Sequence, residues 1–175
     1  AVAYLEAWQA TACDDFARIV REILRYVECD MTSPDGAFYA ATDADSLKPS
    51  GHREEGWFFT WTPSEIDAAL DAEHARATKA YFAVTAEGNF AGRSILHTPA
   101  TLDAVATDLD MPPERLRELV AQSRERLYEV RAGRPAPLRD EKVIAAWNGL
   151  MISAYARAAL ALDERRYADI AARAA

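Results

Sequence analysis

Two aspartates separated by one residue, Asp43 and Asp45, stand in a polar loop between two aromatic runs. Carboxylates this close raise each other's pKa, and a cation or a sugar hydroxyl could bind to them. A calcium loop also begins with acids at its first and third positions. Here Leu47 and Lys48 stand where it needs a ligand and a glycine, although Glu54 occupies its twelfth position. Alternatively, the two aspartates accept hydrogen bonds from amides of their own loop. The pair is a candidate catalytic site.

A second polar group precedes the most apolar stretch of the chain. Asp140 and Lys142 come just before residues 143–162, which are almost all apolar or small. Asn148 lies inside that stretch, where a buried amide without a partner costs ~1–3 kcal/mol. It either faces a polar cavity or bonds a neighbouring loop. Asp140 is therefore a further candidate catalytic residue, and Lys142, Trp147 and Asn148 are candidate substrate-binding residues.

The histidines show no metal-ligand spacing; they are His52, His74 and His97. His97 follows an apolar pair and precedes Thr98-Pro99, so a structural histidine is the plainest interpretation of it. The chain contains no glycine-rich phosphate loop, nucleophile elbow or cysteine cluster. We therefore expect neither a metal centre nor a cofactor.

These residues must be positioned by a mainly helical chain. Apolar residues recur at three-four spacing, and the pattern predicts helices over residues 1–12, 14–29, 73–82, 113–132, 143–162 and 167–175. Two short helices are also expected, one after Thr62 with Ile66, Ala69 and Leu70 buried, and one after Thr98 with Leu102, Val105 and Leu109. Thr62 and Glu65 have the spacing of a capping box, with Pro63 at the first helical position. Thr98-Pro99 repeats this cap-then-proline pattern. The aromatic runs 37–42 and 57–61 alternate as short strands do.

Residues 143–162 differ from the other helical segments because no polar face is visible in them. A helix that is apolar all round is buried on most sides. We therefore expect an inner helix with Trp147 in the core, surrounded by one-sided outer helices such as 113–132, whose charged face meets solvent.

Composition fits a globular domain. The chain has 175 residues, 50% hydrophobic and 27% charged, enough for one domain over residues 1–175. The net charge of −8 argues against binding to nucleic acid or to an anionic membrane surface. No apolar run has the ~18–20 residues of a membrane span. Cys13 and Cys29 fit reduced, half-buried helix residues, so we expect a cytoplasmic protein.

Four blocks carry a resemblance to a known family: GAFYAATDADS, EEGWFFTWTPSEI, GNFAGRSILHTP and DEKVIAAWNGLMISAYARA. In this order and spacing they resemble the middle of the spermatogenesis-associated protein 20 family, whose bacterial members are described as thioredoxin-domain-containing proteins. The resemblance covers nearly the whole chain. One departure is Glu141, where the family pattern leads us to expect an aspartate.

The resemblance implies a mainly α fold. Family members have a thioredoxin-like domain followed by an (α/α)6 toroid, like N-acylglucosamine 2-epimerases and six-hairpin glycosidases. It implies that this chain is part of such a toroid with a small β-hairpin insertion, and that it lacks the thioredoxin-like domain. Such toroids bind ligands where loops gather at the mouth of the inner ring, so Asp43 or Asp45 should lie near the start of the 143–162 helix, together with Asn148.

The resemblance also implies a function. The leading expectation is a carbohydrate-active or sugar-binding domain of the epimerase or glycosidase type, with His97 as a candidate acid or base for epimerisation. Trp57, Trp61 and Trp147 could stack on sugar rings. The alternative is a non-catalytic interaction module that serves the thioredoxin-like domain.

Self-association is a further expectation, because a partial ring leaves apolar surfaces uncovered. Tyr4, Leu5 and Trp8 have no local partner in the sequence, and neither does the apolar side of residues 167–175. Burying one large side chain contributes ~1.5–3 kcal/mol. We therefore expect association through the terminal helices.

Overall fold

The structure, a computed structural model, describes residues 1–175 and is mainly helical. Its helices are α1 (Val2–Thr11), α2 (Asp14–Asp30), α3 (Pro63–Ala69), α4 (Ala72–Tyr81), α5 (Leu102–Asp108), α6 (Pro113–Ala132), α7 (Ala145–Leu162) and α8 (Arg165–Ala174). Its strands are β1 (Ala41–Thr42), β2 (Asp45–Leu47), β3 (Arg53–Glu55) and β4 (Arg139–Asp140). The chain forms two compact units. Unit 1 comprises Ala1–Asp43 and Arg139–Ala175, and unit 2 comprises Ala44–Leu138.

Unit 1 contains α1, α2, α7 and α8, and its two chain segments are joined by antiparallel pairing of β1 with β4. Its core includes Leu5, Leu24, Phe38, Tyr155 and Tyr167. The rings of Phe38 and Tyr155 stack with their centroids 5.4 Å apart. The Tyr155 hydroxyl donates to the Leu24 carbonyl at 2.7 Å, and burial raises the pKa of this tyrosine.

The terminal helices bury most of their apolar side chains, although Tyr4 of α1 is 40% exposed. Leu5 of α1 is buried and Trp8 packs against the same core, as do Tyr167, Ile170 and Ala171 of α8. The expectation that these helices lack partners was wrong, because α1 packs on α2 and α7, and α8 packs on α7. This removes the reason for association through the chain's terminal helices.

Helix α7 is not buried on most sides, so the prediction of an inner helix with Trp147 in the core was wrong. Trp147 is 53% exposed, and Leu150 and Leu160 are 70% and 86% exposed. The opposite side is buried through Asn148, Ala154, Tyr155 and Ala158. The composition of the helix is uniform, but only one side has neighbouring helices to cover it.

Unit 2 contains α3–α6 and the β2–β3 hairpin. Its core includes Trp61, Ile66, Val105, Leu116 and Leu119. Thr62 and Glu65 form the predicted capping box, with both reciprocal hydrogen bonds present. Helix α6 spans the predicted residues and buries the predicted apolar row, including Leu127.

Two local predictions in unit 2 were wrong. The aromatic run 57–61 is not a strand of the hairpin: residues 56–59 form a turn, Trp61 makes an isolated bridge with Ser94, and the polar residues before the run form the hairpin instead. The side chain of Ser46 in β2 is buried and accepts a hydrogen bond from the Phe58 amide at 2.9 Å, which ties the turn to the hairpin. Helix α5 starts at Leu102, and Thr101 rather than Thr98 is its N-cap.

In unit 1, the prediction of half-buried cysteines was wrong. Cys13 is the exposed N-cap residue of α2, and Cys29 is also exposed.

None of the eight helices is long and apolar enough to cross a membrane. The eight helices and the β-hairpin agree with the predicted fold class at this coarser level.

Candidate functional site

Asn148 lies one turn into α7 and holds the segment that leads to β1. Its side-chain oxygen accepts from the Phe38 amide at 2.7 Å, and its amide nitrogen donates to the Phe38 carbonyl at 2.9 Å. The side chain also donates to the Ile144 carbonyl, so both N–H donors and the oxygen of this buried amide have partners. Of the two alternatives, the structure shows bonding to a neighbouring loop. Asn148 therefore positions the candidate site and does not face a cavity.

The β1–β4 pair brings further candidates to the same region of unit 1. Ala41 pairs with Asp140, and Thr42 pairs with Arg139. Asp43 follows β1 directly and is exposed. Asp140 itself lies in β4, whereas Asp43 follows the Thr42–Arg139 pair, at the end of the two strands that lies away from Lys142.

Asp140 and Lys142 form an exposed ion pair at the approach to α7. Lys142 Nζ lies 3.0 Å from Asp140 Oδ2, and the Lys142 amide donates to Asp140 Oδ1 at 3.2 Å. The side-chain hydrogen bond from Lys142, with the backbone bond after it, lowers the pKa of Asp140. A glycosidase general acid needs a raised pKa. Asp140 is thus suited to accept a hydrogen bond from a hydroxyl, not to donate a proton.

Arg139 fixes the backbone of β4 from the other side. Its guanidinium donates to the Asp30 carbonyl at 3.0 Å and to Glu141 at 2.8 Å. It also lies over the Tyr39 ring, 4.3 Å from its centroid. The segment that carries Asp140 is thereby held to the end of α2 and to the residues before β1.

Trp147 is the one tryptophan of the three candidates with an open ring surface. It lies in the first turn of α7, five residues after Lys142, and about half of it meets solvent. Half-exposed indole rings offer an apolar face and a polar N–H to a ligand. Asp140, Lys142 and Trp147 therefore lie close together in sequence at the start of α7, whereas Asp43 lies at the other end of the β1–β4 pair from Lys142.

Trp57 and Trp61 are buried in unit 2, and the rings of both contact the guanidinium group of Arg134. Arg134, from the loop after α6, lies 4.0 Å from the Trp61 ring centroid and 5.3 Å from that of Trp57. Its Nη1 donates to the carbonyls of Trp57, Phe58 and Thr60. These contacts assign both tryptophans to the core of unit 2 and leave no ring face for a sugar.

Arg134 and Arg93 share the carboxylate of Glu65. Arg93 Nη2 donates to Glu65 at 2.6 Å and also to the Thr60 carbonyl at 2.7 Å, and Arg134 lies 3.5 Å from the same carboxylate. Burial lowers the pKa of Arg134, and Glu65 offsets part of that effect. Sequence reasoning missed this cluster. Its signal was an arginine in a proline-rich loop, whose five donors need partners once buried.

The remaining candidates, Asp45 and His97, also belong to unit 2. Asp45 lies in β2 opposite Glu55, and its carbonyl accepts from Arg53 at 3.0 Å. His97 is exposed, with Nδ1 3.1 Å from the side-chain nitrogen of Asn89 and 3.2 Å from the Ile95 carbonyl. Asn89 also bonds the Ile95 amide and carbonyl, so this group orders the loop 89–97. No group of three or more His, Cys, Asp or Glu side chains is arranged to hold a metal ion.

Comparison with known proteins finds relatives along nearly the whole chain. Human spermatogenesis-associated protein 20 is 31% identical over 98% of the chain. The chain is similar to spermatogenesis-associated protein 20. The mouse protein of the same name is 29% identical over 92% of the chain, and an uncharacterized protein of Caenorhabditis elegans is 29% identical over 93%. No protein-family model matches.

The chain spans about a quarter of the length of the curated relatives it matches, 24% for human spermatogenesis-associated protein 20 and 23% for the mouse protein. The similarity confirms the predicted family resemblance at the level of sequence. The thioredoxin-like domain and the toroid lie beyond what this similarity establishes, and so do the activity, substrate and partners of the relatives.

Proposed function

We propose that the start of α7 is a carbohydrate-binding site, in which the Trp147 ring packs against the apolar face of a sugar. The observation that carries the proposal is the half-exposed Trp147 in the first turn of α7, five residues after an exposed Asp140–Lys142 ion pair. An aromatic surface with a few polar groups of both signs is a common composition of ligand sites. Asp140 and Lys142 supply a hydrogen-bond acceptor and a donor for hydroxyl groups.

Rigid support favours the same location. Asn148 fixes Phe38 through two hydrogen bonds, and Arg139 fixes the β4 backbone. Ligand sites bind better when the groups around them are held in place before binding, because less conformational entropy is lost. Asp43, which follows β1, is the candidate second carboxylate.

We further propose that this fold is part of an (α/α)6 toroid. The support is the order of the four sequence blocks, together with the packing of consecutive helices as pairs, α1 on α2 and α7 on α8. Helical hairpins of this kind are the units of a toroid, so the candidate site at the start of α7 would lie at its mouth. This part of the proposal rests on analogy of fold and carries no activity by itself.

The sugar-binding proposal is tested by the indole ¹H–¹⁵N NMR signals of the four tryptophans. N-acetyl-D-glucosamine, D-glucose and cellobiose are the probes, each titrated to about 100 mM. We expect the Trp147 signal to shift with saturation for at least one probe, while those of Trp57 and Trp61 stay in place. Trp147→Ala should abolish binding and Trp147→Phe should keep part of it. Leu150→Ala, on the same helix, is the control for a nonspecific change. No shift of the Trp147 signal with any probe would refute the proposal.

A non-catalytic interaction module is the second candidate function. The exposed leucines of α7 favour it, because a broad apolar surface without converging titratable groups is typical of protein contacts. The NMR titration separates the two functions, since an interaction module leaves all the indole signals unchanged by sugars.

A further inference from the structure

Arg131, in the last turn of α6, is an arginine whose side chain has no hydrogen-bond acceptor in the chain. Its guanidinium carbon lies 5.3 Å from the ring centroid of Tyr128 and 5.5 Å from those of Phe58 and Phe59. The side chain is partly buried, and no carboxylate or carbonyl group of the chain bonds to it. Aromatic rings attract a cation, but they do not replace the oxygen acceptors that its five N–H groups can bind. The fold therefore leaves these donors open to a ligand.

The two neighbouring arginines of unit 2 have acceptors. Arg134 donates to three backbone carbonyl groups of the aromatic turn, and its side chain is 9% exposed. Arg93 donates to Thr60 and, at 2.6 Å, to Glu65. A cation in the last turn of a helix also interacts favourably with the helix dipole, but that interaction does not account for the three rings around Arg131. Arg131 is thus the member of this group whose donors the fold does not satisfy.

The charges around Arg134 do not balance. Besides its own guanidinium group they are those of Arg93 and Arg131 and one carboxylate, that of Glu65, which leaves two positive charges in excess. Burial lowers the pKa of Arg134; Glu65 opposes this effect, and the two other arginines add to it. Charges that are removed from water are usually paired, because desolvation of a lone charge costs free energy. An anion beside Arg131 would offset the excess.

We propose that Arg131 binds the phosphate group of a small phosphorylated molecule. A phosphate monoester carries about −1.5 to −2 charges at pH 7, which matches the excess of two positive charges better than a carboxylate does. A planar guanidinium group can donate two parallel hydrogen bonds to it. The net charge of −8 repels large polyanions, which favours a small ligand. The site shares no residue with the proposed sugar site at the start of α7, so either proposal can fail without the other.

The aromatic surface behind Arg131 is fixed before a ligand binds. The Phe58 amide donates to the buried Ser46 hydroxyl at 2.9 Å, and the Phe58 carbonyl accepts from Arg134 at 3.0 Å. The rings of Phe58 and Phe59 pack edge to face, with their centroids 4.9 Å apart. A guanidinium group held against rigid rings loses less conformational entropy on binding and is shielded from water on one side. Both effects favour a hydrogen-bonded anion.

The first test follows the side-chain Nε–Hε NMR signals of the arginines during titration with methyl phosphate at pH 7 and constant ionic strength. We expect the Arg131 signal to shift with saturation, with a dissociation constant on the order of 1 mM. Acetate, the carboxylate probe, should bind at least tenfold more weakly. An Arg131 signal that does not move with methyl phosphate overturns the proposal, and so does one that responds equally to acetate.

The second test uses variants to separate this site from a general attraction of anions, with binding read from the backbone amide signals of Phe58 and Phe59. Arg131→Gln should weaken methyl phosphate binding at least tenfold, and Arg131→Lys, which keeps the charge but not the planar group, should weaken it less. Arg117→Gln is the matched control, because Arg117 is an exposed arginine of the same helix whose side chain forms no ion pair within the chain. It should bind as the parent does.

Equal weakening by Arg131→Gln and Arg117→Gln would overturn the proposal, because it would show that only the overall charge of α6 matters. The parent titration requires no variant, so the first test stays decisive even if Arg131→Gln does not fold.

Discussion

Trp147 and Asn148 are neighbours in the sequence but have opposite surroundings. Asn148 is buried and fully hydrogen-bonded to Phe38 and Ile144, whereas Trp147 is half exposed. One step along a helix turns the side chain by about 100°, which is enough to move it from core to solvent. The residue that supports the candidate site and the residue that offers it a surface are thus adjacent.

Trp61→Ala and Trp147→Ala should differ strongly in their effect on stability. Trp61 is 2% exposed and packs in the core of unit 2, so its truncation should lower the free energy of unfolding by ~3–5 kcal/mol. Trp147 leaves no comparable cavity, and its truncation should cost under ~1 kcal/mol. Urea denaturation measures both. Equal losses would contradict the exposure of Trp147.

His74 should make stability depend on pH in unit 2. Its Nε2 lies 2.9 Å from Gln122 and its Nδ1 lies 2.8 Å from Asp71, and these hydrogen bonds raise its pKa. A raised folded pKa gives stability that is fully present below the ordinary histidine pKa of about 6.5 and is lost as pH rises through the folded value. The hydrogen bonds from His74 lower the pKa of Asp71, so its carboxylate stays ionised across this window.

The measurement for His74 is the denaturation midpoint at pH 5.5, 6.5 and 8. His74→Gln keeps the hydrogen-bonding capacity without the titration. The parent should exceed this variant most at pH 5.5 and least at pH 8. A difference that grows towards pH 8 would show that the neutral ring is the stabilised form.

At the scale of elements, the positions of helix starts depend on which side chain reaches the backbone. Thr62 and Glu65 cap α3 as their spacing predicted. Thr98-Pro99 has the same opening pattern but no glutamate three residues on. Helix α5 begins three residues later, where the Thr101 hydroxyl accepts from the Ala104 amide. The capping glutamate is thus the feature that distinguishes the two sites in the sequence.

Thr101→Ala should lower the free energy of unfolding by ~1 kcal/mol, because it leaves an amide of the first turn without its acceptor. Thr98→Ala should change it by less than ~0.5 kcal/mol, since that exposed residue caps no helix. Thermal or urea unfolding of the two variants is the measurement. A larger loss of stability for Thr98→Ala would indicate that Thr98 caps α5, as the sequence pattern predicted.

At the scale of the whole molecule, the two units differ in how the chain builds them. Unit 2 is one continuous segment, Ala44–Leu138, with its own hydrophobic core. Unit 1 is assembled from two segments that are distant in sequence and are joined by β1 and β4 and by the packing of α7 on α1 and α2. Unit 1 therefore cannot form before both segments are present.

Residues 44–138 expressed alone should fold and unfold cooperatively, because every member of their core lies within the segment. Residues 1–43 alone should not, since the partners of α1 and α2 on α7 and α8 are absent. Far-UV circular dichroism during urea denaturation checks both. A segment 44–138 without a cooperative transition would show that its core needs unit 1.

Much of the fold could be predicted because the information is local. The amphipathic spacing of α2 and α6 and the capping box of α3 were correct from the sequence, since each depends on residues within one or two turns. The family resemblance was confirmed by similarity to spermatogenesis-associated protein 20. The polar residues before α7, Asp140 and Lys142, are also visible in the chain itself, because they precede its most apolar stretch, and their role in ligand binding stays a prediction.

The rest needed the tertiary structure, because it depends on which distant segments meet. The hydrophobic periodicity does not distinguish the two sides of α7, because apolar and small residues occur on both. Only the neighbouring helices determine that Leu160 is exposed and Tyr155 is buried. The aromatic run 57–61 matched a strand pattern, yet residues 56–59 form a turn, and three carbonyls of the run accept hydrogen bonds from Arg134, more than seventy residues later. Asn148 and Phe38 are likewise joined across 110 residues. Such pairings follow from long-range packing, which no local spacing records.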